Sequence, residues 1–143
     1  MRKISGFIFL YFILSALSCR VFSLDSAPYL IDGEMTLETS SKYEIAGFNF
    51  YFLNKADKAV KDFTLVFYLF DEDGNPLSFG KNNIVAKVNV PLAAGEGING
   101  CISLDPFLFE IPDYEYEVDY LYVSLITYED DSVWSDPFGL CKL

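Results

Sequence analysis

Asp71-x-Asp73-x-Asn75 places three oxygen donors at alternate positions, the spacing with which a calcium-binding loop opens. The pattern then breaks. Its sixth position, where the sharp turn wants glycine, is Pro76, and its twelfth, where a bidentate glutamate belongs, is Asn82. Asp71-Glu72-Asp73-Gly74-Asn75-Pro76 reads more simply as an Asp-Gly turn closing a core strand. Weak calcium binding by Asp71, Asp73 and Asn75, helped by Glu129 to Asp131 from another turn, is the metal reading these residues leave open.

Other chemistries are narrowed by what the chain lacks. Histidine is absent, which removes the commonest general base, the Ser-His and Cys-His nucleophile pairs and most zinc sites. A glycosidase needs only two of the 21 acids. Such sites sit in deep clefts, however, and a small domain with short loops has little material to build one. The expectation is a domain with no catalytic residues and no cofactor, and a small carboxylate-based hydrolase is the weaker alternative.

Residues 110–122 (EIPDYEYEVDYLY) interleave acids with tyrosines. At a period of two, Tyr120, Tyr122 and Tyr128 share one strand face, opposite Leu121, Val123 and Leu125. A tyrosine row on an exposed sheet offers a large amphipathic surface to a protein or glycan. The competing expectation is that these rings fill the second layer of a sandwich, because the 10 tyrosines of so short a chain cannot all bind. Trp134 is expected to anchor the core near one end.

The elements that must position these residues are strands. Period-two alternation with β-branched and aromatic residues runs through 34–40, 43–54, 60–71, 84–90, 96–104, 118–129 and 132–136, and no long amphipathic helix fits between them. Phe48, Phe50 and Phe52 form one face and should be core. Phe63 to Phe70 is apolar on both faces, which suits a central strand covered on each side. Seven short strands in one domain predict an all-β, immunoglobulin-like two-sheet sandwich over 34–143, after a linker over 24–33.

Phe67-Tyr68-Leu69-Phe70-Asp71 with Gly74 resembles the F-x-L-Y-D motif of the FxLYD domain, an immunoglobulin-like sandwich of exported bacterial and archaeal proteins; Phe70 replaces its tyrosine. Asn54 upstream and Leu92-Ala93-Ala94-Gly95-Glu96 downstream agree in order, the latter similar to an L-x-P-G-E turn with Ala94 for proline. The stretch from Thr127-Tyr128 to Trp134 is similar to the D-G-[ST]-x-W endings of related envelope domains, with Asp131 for glycine. The resemblance spans roughly residues 45–135. It implies a fold and export, and no activity.

The N-terminus carries its own instruction. Met1-Arg2-Lys3 precedes an apolar run of 14 residues, Ile4 to Leu17, and then small and polar residues, the order of a secretory signal peptide. That run is shorter than the roughly 20 residues a membrane-spanning helix needs. Two cleavage sites compete. One follows Ser23; the other follows Ser18, where Leu17-Ser18-Cys19 looks like a degenerate lipobox that would make Cys19 the lipidated first residue. The expected locations are the periplasm, an outer-membrane lipid anchor or the exterior.

Removal of residues 1–23 takes Arg2, Lys3 and Arg20 from the ten basic residues, leaving seven lysines against 21 acids and a formal charge of −14. So acidic a surface repels phosphate backbones, which excludes nucleic acid as a natural partner and leaves only the lipid anchor as a route to a membrane. Cys101 and Cys141 remain in either case. In an oxidising compartment they are expected to pair, closing a loop of about 40 residues that the chain-entropy model values at roughly 4 kcal/mol.

Overall fold

The computed structural model describes residues 27–39 and 44–141. The signal segment, both cleavage sites and Cys19 lie outside the described residues. Seven strands run in order through the described residues: β1 (Tyr29–Thr39), β2 (Glu44–Asn54), β3 (Val60–Phe70), β4 (Asn83–Leu92), β5 (Gly97–Ser103), β6 (Glu117–Tyr128) and β7 (Val133–Ser135). A 3-10 turn, Asp105–Phe107, interrupts the crossing from β5 to β6.

The strands form two antiparallel sheets, one in the order β1-β2-β5 and the other β4-β3-β6-β7. Hairpins join β1 to β2, β3 to β4 and β6 to β7, and the chain changes sheet after β2, β4 and β5. This is an immunoglobulin-like sandwich, as the alternation of the sequence leads one to expect.

The first strand begins earlier than expected. Tyr29 to Gly33, inside the segment read as linker, pair with Asn54 to Phe50 of β2. Pro28 and Gly33 look like linker punctuation, but Gly33 serves a close approach: a Cβ there would lie 2.4 Å from the Phe48 ring. Tyr29 is buried, and its hydroxyl accepts the Val123 amide of β6 at 3.0 Å, tying the two sheets together at the chain's entry.

The phenylalanines of β2 face inward as their spacing predicts. Phe52 stacks on Phe63 of β3 with centroids 4.0 Å apart and planes at 9°, and Phe48 stacks on Phe67 at 4.1 Å. Each pair joins one sheet to the other, adding about 1 kcal/mol to the burial of its rings. Trp134 is half-buried and meets Tyr29 edge-on at 5.6 Å, the end anchor expected of it.

Strand β3 is central in its sheet, with β4 on one side and β6 on the other. Its inward row, Phe63, Leu65, Phe67 and Leu69, is fully buried. The cover expected on the other face is only partial: Val66 is buried, whereas Tyr68 and Phe70 are half-exposed. An apolar row therefore reaches the outside of the four-stranded sheet.

Candidate functional site

The acidic turns do not converge. Val60 pairs with Tyr128 and Phe70 with Glu117, so Asp71 and the Glu129–Asp131 turn lie at opposite ends of β3, separated by about 35 Å of strand. The Asp71 carboxylate caps its own turn. Its Oδ1 accepts the amides of Asp73 at 3.0 Å and Asn75 at 2.7 Å, and its Oδ2 accepts the Asn75 side-chain amide at 3.0 Å. These donors, led by the Asn75 side chain, hold the Asp71 carboxyl below its ordinary range. Asn75 thus turns a side-chain N–H toward Asp71, and the three residues of the metal reading, Asp71, Asp73 and Asn75, are tied together as a self-capped turn. Among the described residues no group of three or more acids or cysteines is arranged to hold a metal.

At the far turn the acids meet lysines. Asp130 accepts Lys58 at 2.7 Å and Asp131 accepts Lys61 at 3.2 Å. The Lys58 bond, with further donors from Ser132, lowers the Asp130 carboxyl to about 2.

No disulfide joins Cys101 to Cys141. Cys101 lies on β5 between Gly100 and Ile102; Ile98 and Ile102 turn toward the core, so Cys101 faces outward from the three-stranded sheet, beside Gly47. Cys141 follows the other sheet's last strand, packed against the core, with its amide donating to Asp136 Oδ2 at 2.8 Å. The sandwich thus separates the two residues that export chemistry alone would pair.

The tyrosine row is split by backbone irregularity in β6. Thr64 pairs with Leu125 but Leu65 with Val123, leaving Ser124 as an extra residue, and a second surplus falls between Tyr122 and Asp119. Each extra residue reverses the faces of the strand beyond it. Val123, Ile126 and Tyr128 are consequently buried, and Leu125 leaves the inward row. Tyr128 lies under Lys58, whose ammonium is 5.7 Å from the ring centre, and burial raises its phenol. Its buried ring packs at the end of the sandwich.

Tyr120 and Tyr122 stay outside, where they meet the uncovered face of β3. With Tyr68, Phe70, Asn82 and Phe138 they line an open groove of about 450 Å³. Tyr120 takes φ +52° at the bulge, and its ring meets Tyr68 edge-on at 5.8 Å and Phe70 at 6.5 Å. Tyr120 is half-exposed at 50% and Phe138 stands out at 79%. The Tyr122 hydroxyl donates to the Pro137 carbonyl at 3.3 Å, and burial is the main cause that raises its phenol.

The far wall is built by the C-terminal turn. Asp136 is buried and accepts the amides of Leu140 at 3.0 Å and Cys141 at 2.8 Å. Burial pushes its carboxyl up, but the amides of Cys141, Leu140 and Phe138 outweigh burial and hold it below the ordinary value. Gly139, at φ +64°, passes so close to Tyr122 that a Cβ would lie 2.9 Å from the ring. Strand periodicity does not reach Phe138 and Gly139. Their signal is the Asp-Pro-Phe-Gly run itself, a turn carrying one aromatic residue.

The three-stranded sheet presents a different outer face. Asp32, Tyr51 and Asn99 align across it, as do Glu34, Asn49 and Cys101, and they border a shallow depression of mixed polar and apolar lining.

No protein-family model matches the chain, and no curated protein matches its sequence. A solved structure of similar fold is the 1.85 Å X-ray structure of a hypothetical protein from Peptoclostridium difficile 630, with a TM-score of 0.59 over 78% of this chain and 88% of that one. At 11% identity the likeness concerns the fold alone.

Proposed function

We propose that this chain is a non-catalytic, exported cell-envelope domain that binds a protein partner through the aromatic groove on its four-stranded sheet. The observation that supports this most is the contrast between its two outer faces. A solvated sheet face ordinarily carries polar side chains, and the three-stranded sheet does so with Asp32, Glu34, Asn49 and Asn99. The other sheet gathers four aromatic rings and Phe138 around an open groove. Contiguous exposed aromatic surface of this kind is typical of interaction sites.

Export rests on the N-terminal sequence, with either release after Ser23 or lipidation of Cys19 as the final step. Labelling with a fatty-acid analogue separates the two: wild type takes up label and Cys19→Ala does not if Cys19 is the anchor. Tyrosine nitration tests the binding role. In the native envelope Tyr120 is expected to be nitrated less than in purified protein, while Tyr51, 41% exposed on the other sheet, is nitrated equally in both. Equal nitration of Tyr120 in both settings contradicts the proposal.

A further inference from the structure

We infer that the partner presents an arginine side chain to this groove; the inference rests on the groove being the binding surface. The polar groups of the lining argue first. The Tyr122 hydroxyl gives its proton to the Pro137 carbonyl at 3.3 Å, and Asn82 Oδ1 accepts the Leu69 amide at 2.9 Å. What the groove offers a ligand is chiefly ring surface.

The rings are also steeply inclined to one another. Tyr120 makes 75° with Tyr68 and 56° with Phe70, so the rings bordering the groove are not coplanar. A lining this rich in aromatic rings suits an organic cation, which is attracted to the electron-rich face of a ring. Charge agrees. The whole chain carries −11, and among the described residues no lysine lines the groove. Lys58, Lys61 and Lys87 are engaged by Asp130, Asp131 and Asp62. Among the described residues Lys81, adjoining Asn82, is a basic neighbour in sequence, and acids lie nearby. Asp119 precedes Tyr120 and pairs with Tyr68, Glu117 pairs with Phe70, and the charge of Asp136 reaches Tyr122.

Arginine fits better than lysine for a physical reason. Its guanidinium is planar, weakly hydrated and stacks on aromatic faces, whereas an ammonium holds its water more tightly. An acidic surface would draw such a basic segment in before the groove engages it.

The test uses two blocked peptides, Ac-Gly-Ser-Arg-Ser-Arg-Ser-Gly-NH2 and its counterpart with citrulline at both arginines, which keeps the shape and removes the charge. Titrated into the purified protein, the arginine peptide is expected to shift the ring resonances of Tyr120 and Tyr122 and to bind about tenfold more tightly than the citrulline peptide. Phe138→Ala, at an exposed position, and Tyr120→Asn, which tolerates the positive φ, should each weaken it severalfold. Equal binding of the two peptides overturns the cation while leaving the groove as a binding surface. Arginine binding unchanged in both variants puts the cation elsewhere and overturns the inference. Silence of both peptides overturns it too, and Tyr120 protection in the envelope then decides separately whether the groove binds anything.

Discussion

The side-chain amide of Asn54 donates to the carbonyl of Ala93 at 3.0 Å, across 39 residues of sequence. The same side chain donates to the Lys58 carbonyl at 2.8 Å and accepts the Ala56 amide at 3.1 Å, while Glu96 folds back to accept the Ala93 amide at 2.8 Å. Asn54 is fully buried, so one residue closes the loop after β2 and pins the β4–β5 turn to it. Two of the pieces that carry the family resemblance, Asn54 and the Leu92–Glu96 turn, thus meet in space. Asn54→Ala removes all three of these bonds from a buried side chain and is expected to cost about 3 kcal/mol in urea denaturation, with peptide binding at the groove unchanged. A loss below about 1 kcal/mol, the net worth of a single ordinary hydrogen bond, would show that the knot matters little.

Acid stability should follow the depressed carboxylates. Asp130 falls from 3.8 to about 2 in the folded protein, chiefly through its bond from Lys58. A folded value below the unfolded one favours the folded state above about pH 4, and that contribution disappears as pH falls from about 4 toward 2. Urea midpoints of wild type and Asp130→Asn are expected to differ most above about pH 4 and to converge near about pH 2. A difference constant with pH contradicts the assignment.

Cys101 faces outward on β5 and is not bridged to Cys141. Iodoacetamide should therefore modify Cys101 in native, unreduced protein, read by peptide mass. Resistance of Cys101 until reductant is added, with a linked Cys101–Cys141 peptide, would contradict the separation of the two cysteines across the sandwich.

Gly139 holds the C-terminal turn against Tyr122. Gly139→Ala meets both a left-handed backbone at φ +64° and a ring 2.9 Å from the new methyl. The expected cost is about 1–2 kcal/mol in thermal or urea unfolding. The turn carrying Phe138 should also move off Tyr122, seen as increased nitration of Tyr122. No change in either measurement would mean that the turn is not fixed there.

Much of the fold is legible in the residues because alternation and burial say the same thing. Phe48, Phe50 and Phe52 point inward as their spacing requires, and each expected strand is found within a few residues, apart from the early start of β1 at Tyr29. The misreadings have local causes. Pro28 and Gly33 imitate a linker, yet Gly33 is a strand glycine making room for Phe48. Period-two reasoning assigns Tyr128 to the outer face because the surplus residues in β6, which reverse the faces, leave no mark in composition. The groove is half visible. Tyr120 and Tyr122 are legible from their strand, and the two-sided apolar character of Phe63 to Phe70 contains the other wall, although it suggests cover and not an opening. Phe138 joins them only through a tertiary turn held by Asp136.

The aromatic groove, and not the polar sheet opposite, is the surface proposed to meet a partner. A photo-crosslinking amino acid placed at Phe138, with a matched one at Tyr51, tests it in the native envelope. The expected result is a discrete crosslinked species from Phe138, lost when Tyr120→Asn is added, and none from Tyr51. Crosslinking from Tyr51 alone, or from both sites equally, would contradict it.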